Sequence, residues 1–322
     1  MSYKNFKELE IAYTKPYTDG EYKKALEMLE EGTRILPEEE YKKHEFVILL
    51  DKTIMNVMLK SYDEAVEIIK ATMDMGYLFP LHYRVLEPIR QLEEYIELKQ
   101  KNDKLLEKAQ SAARAKYDVQ LPDSCCKEKK HPLMLLLHGD GGDGNIEDLK
   151  YYWKPEVLFE RGFIVAYLQS SQVLCHNGYG WLPNAEVSRR DIKDCYDKIV
   201  EEYTVDESMV FIGGFSGGAI ASMDIALSNA VPVKGFLSLC PSRIPAAYTD
   251  ENIRAAVQRG VRGVMLEGED AKEDIEVEKQ ILKGFEAEGL RCKYIINKEV
   301  GHWYPKDFDA KQEEALEFLL EK

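Results

Sequence analysis

One serine stands where a serine becomes a nucleophile. It is Ser216, within Gly214-Phe215-Ser216-Gly217-Gly218. A β-branched and aromatic run from Met209 to Ile212 precedes this pattern, and a small-residue run to Leu227 follows it. The stretch reads as strand, sharp turn and buried helix, the setting that a G-x-S-x-G nucleophile elbow needs. A serine at the tip of so tight a turn has strained backbone angles. The flanking glycines keep Cβ atoms out of the adjacent strand and helix. Two other stretches carry reactive or polar-binding groups. The apolar run Pro132 to Leu137 ends in His138-Gly139-Asp140-Gly141-Gly142-Asp143-Gly144-Asn145. Glycines in such a loop let backbone N–H groups face a site with no side chain in the way. A phosphate loop is disfavoured, because the G-K-[ST] ending and the G-x-G-x-x-G register are both missing and two aspartates would repel phosphate. The last stretch is Gly301-His302-Trp303, beyond the final strand-like run, with Glu269, Asp270 and Asp274 after the run before it.

The elements that must position these groups follow from the pattern. From residue 115 onward, apolar runs alternate with helical segments, the signature of an α/β fold with a mostly parallel sheet. Strands are expected over 115–121, 132–137, 162–168, 209–212, 233–239, 261–267 and 291–296. Helical spacing marks 186–203, 275–288 (stopped by Gly289) and 310–320. Only about twenty residues separate the strands ending at Leu239 and beginning at Val261, too few for an inserted lid domain. A polar and aromatic loop after residue 168 carries Tyr179, Gly180 and Trp181. Such a loop lies at the functional rim of an open α/β sheet. Trp181 there either lines a substrate pocket or packs the loop down.

Residues 4–112 read as all-helical, rich in Leu, Glu, Lys, Ala and Met and poor in Gly and Pro. Two segments match in their Tyr, Ala and Glu positions: Gly20-Glu21-Tyr22-Lys23-Lys24-Ala25-Leu26-Glu27 and Lys60-Ser61-Tyr62-Asp63-Glu64-Ala65-Val66-Glu67. They resemble the first helix of tetratricopeptide repeats, in degenerate form and at a longer offset. The expected domains are therefore 1–112, helical, and 113–322, α/β. The helical part reads as a docking or homodimer module for a protein partner, with a partner-binding groove or an active-site cover as the other reading.

Of 322 residues, 45% are hydrophobic and 31% charged, and the formal net charge is −15. Nucleic acid and anionic membranes are excluded as favoured partners by that charge. No stretch is long and apolar enough for a membrane span, and the N-terminus lacks the apolar segment of a signal peptide. A cytoplasmic protein with reduced thiols is expected, since the six cysteines show no metal-binding spacing. No metal and no cofactor are expected.

Ser216, a carboxylate near residue 270 and His302 follow one another in the chain, each just past a predicted strand. In this order and context, residues 115–322 resemble the α/β-hydrolases, in particular the small lidless esterases of the carboxylesterase and dienelactone-hydrolase types. The resemblance implies that Ser216 attacks an acyl carbonyl, that His302 moves the proton, and that a carboxylate orients the imidazole. It also implies an oxyanion hole from the backbone N–H groups of Asp140 and Gly217, with His138 structural. The implied activity is hydrolysis of a small-molecule carboxyl ester with a short or compact acyl group. A serine peptidase or amidase on the same fold and a non-catalytic helical-repeat scaffold are the alternatives. The chain departs from the family at the acid. The usual G-x-x-D is here Gly268-Glu269-Asp270-Ala271, one residue short. Asp270 is the expected acid. Glu269 should point the other way along the extended chain, and Asp274 should lie in a helical turn, too far along and too exposed. Asp270 also fits an N-cap, with Glu273 completing a capping box.

Overall fold

The computed structural model describes residues 3–126, 128–142 and 144–321. The chain divides into two compact units, one of Met1–Ala112 with Leu174–His176 and one of Ala113–Val173 with Asn177–Lys322.

The first unit is built from α1 (Phe6–Thr18), α2 (Tyr22–Ile35), α3 (Glu38–Met58), α4 (Tyr62–Asp74) and α5 (Tyr95–Ala112). A 3₁₀ segment, Arg84–Gln91, interrupts the helical run and carries Pro88, whose missing N–H suits a short, irregular turn. Consecutive helices from α1 to α4 pack against one another. The two matching segments occupy equivalent places. Gly20 and Lys60 both take left-handed φ, at 79° and 62°, two residues before α2 and α4 begin. Ala25 and Ala65 are both fully buried, so each helix turns its small residue inward. Leu174–His176 belongs to this unit: the His176 N–H donates to the Leu78 carbonyl at 2.9 Å and its ring packs on Phe46 and Tyr77.

The second unit holds a seven-stranded sheet. Its elements in order are β1 (Lys116–Gln120), β2 (His131–Leu137), α6 (Ile146–Tyr152), α7 (Glu156–Glu160), β3 (Ile164–Gln169), the first residue of the short β4 (Val173–Cys175), whose other two belong to the first unit, β5 (Gly178–Tyr179) and α8 (Ala185–Glu202). Then come β6 (Val205–Phe215), α9 (Gly217–Ser228), β7 (Gly235–Leu239), α10 (Asp250–Gln258), β8 (Arg262–Gly268), α11 (Lys272–Glu288), β9 (Cys292–Asn297) and α12 (Phe308–Leu319). The sheet order is β1-β3-β2-β6-β7-β8-β9, with β1 antiparallel to β3 and every other pair parallel.

The continuous apolar runs are explained by burial on both faces. Leu133, Leu135 and Leu137 of β2 enter the core shared with α8, α9, α10 and α11, while Met134 and Leu136 enter the core shared with α6, α7 and α12. Between Leu239 and Arg262 the chain fits only a loop and α10, so no lid domain is inserted there. No helix among the described residues is long and apolar enough to cross a membrane.

Candidate active site

The parallel strands deliver the reactive groups to one edge, the carboxyl ends of β2, β6, β7, β8 and β9. Ser216 sits between β6 and α9 at φ 52° and ψ −113°. A non-glycine residue there is strained, and its neighbours hold it in place. Its N–H donates to the Leu239 carbonyl at 2.9 Å, tying the turn to the end of β7. The glycines answer to close backbone approach. A Cβ on Gly214 would lie 2.5 Å from the Gly218 backbone, and one on Gly218 would lie 2.4 Å from the carbonyls of Leu137 and His138. The elbow is thus wedged against the end of β2.

His302 reaches Ser216 from the loop after β9. Its Nε2 lies 2.9 Å from Ser216 Oγ, and its Nδ1 lies 2.8 Å from Asp274 Oδ2. The ring packs on Phe215, with centroids 5.3 Å apart. The expected acid, Asp270, is not on the histidine. The backbone explains why. After β8, the N–H of Glu269 donates to Asn297 O and that of Asp270 to Val300 O, which pins the acid-bearing turn to the histidine loop. Gly268 lies under that loop; a Cβ there would meet Gly301 O at 2.1 Å. The Asp270 side chain is exposed, and the helix begins at Lys272 with Ala271 at its N-cap, so Asp270 does not cap it either. Asp274 does lie in the first turn of α11, as its spacing indicated, but that turn faces the sheet edge and its side chain is only 22% exposed. A carboxylate in a helix's first turn also sits favourably at the positive end of the helix dipole. Glu269 is exposed.

No protein-family model matches the chain, and no curated protein sequence matches it. Solved structures do. An uncharacterized protein from Bacillus cereus ATCC 10987 aligns over 99% of both chains at 23% identity and TM-score 0.54. Esterase PE8 aligns over 64% of this chain and all of its own at 16% identity and TM-score 0.51. A putative dipeptidyl aminopeptidase IV from Bacteroides ovatus ATCC 8483 aligns over 66% of this chain and 34% of its own, at 11% identity and TM-score 0.50. The second unit has the α/β-hydrolase fold. In this fold the first loop after a central strand flanks the nucleophile, and here that loop is His138–Asp140.

His138 is buried. Its Nδ1–H donates to Gly139 O at 2.7 Å and its Nε2 accepts from the Ser170 N–H at 3.2 Å. Burial depresses its basicity to about 4, so it stays neutral and supports the loop. The Asp140 carboxyl accepts from the backbone N–H groups of Trp181 and Leu182 at 2.7 and 3.1 Å, and it packs against Gly217, where a Cβ would lie 2.1 Å from Oδ1. Burial pushes its pKa up to about 6, opposed by those two N–H groups and by Arg243. Gly217 is the first residue of α9, so its N–H has no acceptor within the helix.

Trp181 is buried, with its indole N–H on the His138 carbonyl at 3.1 Å. It both packs the loop and lines a cavity of about 190 Å³. Ile220 and Ala221 of α9, Ile192 of α8, and Arg243 and Ile244 beyond β7 form other walls. Ile220 and Asp224 lie one turn apart along α9, and Ile220 is the fourth residue after Ser216, the N-cap of that helix; Ser216 itself is not part of the cavity wall. Asp224 is paired with Arg189 through two hydrogen bonds of 2.6 and 3.0 Å.

Behind His302 lie residues that the sequence reading passed over. Glu267 and Glu278 are both fully buried. Burial raises the pKa of each, that of Glu278 to about 9. The available signal was Glu267 itself, an acid closing the otherwise apolar run Val264-Met265-Leu266.

Proposed function

We propose that this protein is a serine hydrolase that cleaves carboxyl esters of compact acyl groups through an acyl-enzyme. The observation that carries the reading is the chain of two short contacts, Ser216 Oγ to His302 Nε2 and His302 Nδ1 to Asp274 Oδ2. In this mechanism Ser216 Oγ attacks the ester carbonyl as Nε2 takes its proton. Asp274 fixes the tautomer that leaves Nε2 free to accept, and it stabilises the imidazolium. The N–H groups of Gly217 and Asp140 meet the oxyanion, each worth about 3 kcal/mol. His302 then returns the proton to the leaving alcohol, and water repeats the sequence on the acyl-enzyme.

The substrate reading rests on size. A cavity of about 190 Å³ beside the elbow is smaller than the roughly 300–1,000 Å³ typical of drug-sized ligand sites, so it suits a short or compact acyl chain. Ile192, Ile220 and Ile244 give the cavity apolar walls that suit a short hydrocarbon chain, beside the paired Arg189 and Asp224 and the Arg243 side chain.

A fluorophosphonate probe should label the wild type at Ser216 and leave Ser216→Ala unlabelled. Activated esters of graded acyl length should then give highest kcat/KM at acetate to butyrate. Well-folded protein that takes no label would end the hydrolase reading. Labelled protein that turns over aminoacyl amides in preference to esters would make it a peptidase. We also propose that the helical unit serves a protein partner or a second copy, as its repeat-like pattern suggests.

A further inference from the structure

The buried acids behind His302 form a unit with its own chemistry. Glu267 is the penultimate residue of β8, and its Oε1 accepts the N–H of Gly268 at 2.7 Å. Glu278 lies one turn beyond Asp274 on the same stripe of α11, and its Oε2 accepts the Tyr294 hydroxyl of β9 at 2.6 Å. The Glu267 carboxyl is close enough to Glu278 to help raise the pKa of the latter. Among the described residues, the buried oxygens Glu267 Oε2 and Glu278 Oε1 have no hydrogen-bond partner. An ionised carboxylate only accepts, so two of them cannot bond without a proton between them. One proton between those two oxygens would give each a partner and leave the pair with one negative charge. A Glu267 carboxyl oxygen, the Cys240 thiol and a His302 ring nitrogen all lie within 4.8 Å of one another.

We propose that Glu267, held by Glu278, is a second carboxyl for His302: a positioning residue that backs Asp274 from the buried side. This rests on the reading of His302 as the base. The two acids differ in setting. The Asp274 side chain is 22% exposed and screened by water, whereas Glu267 is fully buried, where the same charge acts more strongly. Glu267 faces Cys240 from the end of β7, Asp274 from α11 and His302 from its loop, and Glu278 of α11 lies beside it. Tyr294 of β9 closes the far side through Glu278. Desolvation keeps one proton on the pair at neutral pH, and it keeps the Cys240 thiol protonated as well. One negative charge is thus shared between the two glutamates, and its location can be moved by substitution.

Two variants move it in opposite directions. In Glu267→Gln the amide N–H donates to Glu278, so shape and hydrogen bond survive but the charge withdraws from His302. The neutral imidazole is then favoured, and the acid limb of kcat/KM should shift to lower pH by about half a unit or more. In Glu278→Gln the amide donates to Glu267, the charge moves toward His302, and the acid limb should shift to higher pH. A purely structural pair would give no shift, or the same shift for both; either result overturns the proposal. Asp274→Ala supplies the second arm. With Glu267 in reserve it should lose about a hundredfold in kcat, and adding Glu267→Gln should bring the loss to about 10⁴-fold, the usual cost of losing the triad acid. If Asp274→Ala alone already loses that much and the second change adds nothing, Glu267 is not a reserve. The midpoint of the His302 imidazole titration, followed by NMR in the full chain, reads the same opposing shifts without turnover. It therefore decides this proposal even if Ser216 takes no fluorophosphonate and the hydrolase reading falls.

Discussion

The elbow and the acid corner are the two halves of one site, and they are specified in different ways. The elbow is local. Five consecutive residues meet the end of β2 and the start of α9; Gly214 and Gly218 answer to backbone atoms closer than a Cβ tolerates, and Gly217 to the Asp140 carboxyl. The acid corner is dispersed. Its groups come from the end of β7 (Cys240), from β8 (Glu267), from α11 (Asp274 and Glu278), from β9 (Tyr294) and from the loop bearing His302. A nucleophile that must be strained leaves a motif in the chain. A carboxylate that need only reach an imidazole can come from any nearby backbone, and it leaves none.

Removing the nucleophile should have the largest effect. Ser216→Ala is expected to lower kcat about 10⁴-fold or more while the fold is kept, because the members of such a site act as a unit. Retention of a tenth of the wild-type rate would break the assignment of the elbow as the reactive half. Gly214→Ala tests the steric argument with the chemistry left in place. Its Cβ would lie 2.5 Å from the Gly218 backbone, so the elbow must shift or the protein must lose stability. The expected result is a loss of about 2–4 kcal/mol in chemical denaturation and at least about a hundredfold in kcat. An alanine variant with wild-type stability and rate would show that the wedge is slack.

How much could be read beforehand follows the same division. The parallel sheet was legible because burial on both faces forces continuous apolar runs, as in Leu133 to Leu137. The start of β6 was not, because Asp206, Glu207 and Ser208 break the apolar run while the strand continues from Val205. The 3₁₀ segment around Pro88 was likewise hidden inside helix-rich composition. At the site, Ser216, His302 and the His138–Asp140 loop were legible from strand ends and glycines. Asp274 was visible as a candidate but set aside, because the direction a helix's first turn faces depends on how the preceding turn is pinned. That pinning runs through Val300 O and Asn297 O, on a different strand connection.

The cavity ranks next in expected effect. Ile244 forms part of its wall yet is 46% exposed, so trimming it removes substrate contact more than core. Ile244→Ala should lower kcat/KM for a butyrate ester by about fourfold and change an acetate ester little. A lost methylene contact is worth about 0.8 kcal/mol, and only the longer chain reaches it. Equal losses on both esters would place the acyl group elsewhere.

The smallest effect is expected at the acid corner's exposed residue, and it separates reach from proximity in sequence. Asp270 is nearer the family's usual position than Asp274, and its backbone N–H does structural work by donating to Val300 O at 2.9 Å. Its carboxylate is exposed and takes no hydrogen bond among the described residues, and Ala271 rather than Asp270 is the N-cap of α11. Asp270→Asn keeps the backbone N–H and the side-chain shape and removes only a solvated charge. The cost of losing a surface charge of this kind lies within about 0.5 kcal/mol. Turnover should stay within about threefold of wild type, and the melting temperature should hold. Asp274→Asn, assayed beside it, should fall by about a hundredfold or more. If the two variants exchanged places in that assay, the loop would have to rearrange in solution to bring Asp270 onto Nδ1, and the hydrogen bonds of Asp270 and Glu269 to the histidine loop would be the ones that break first.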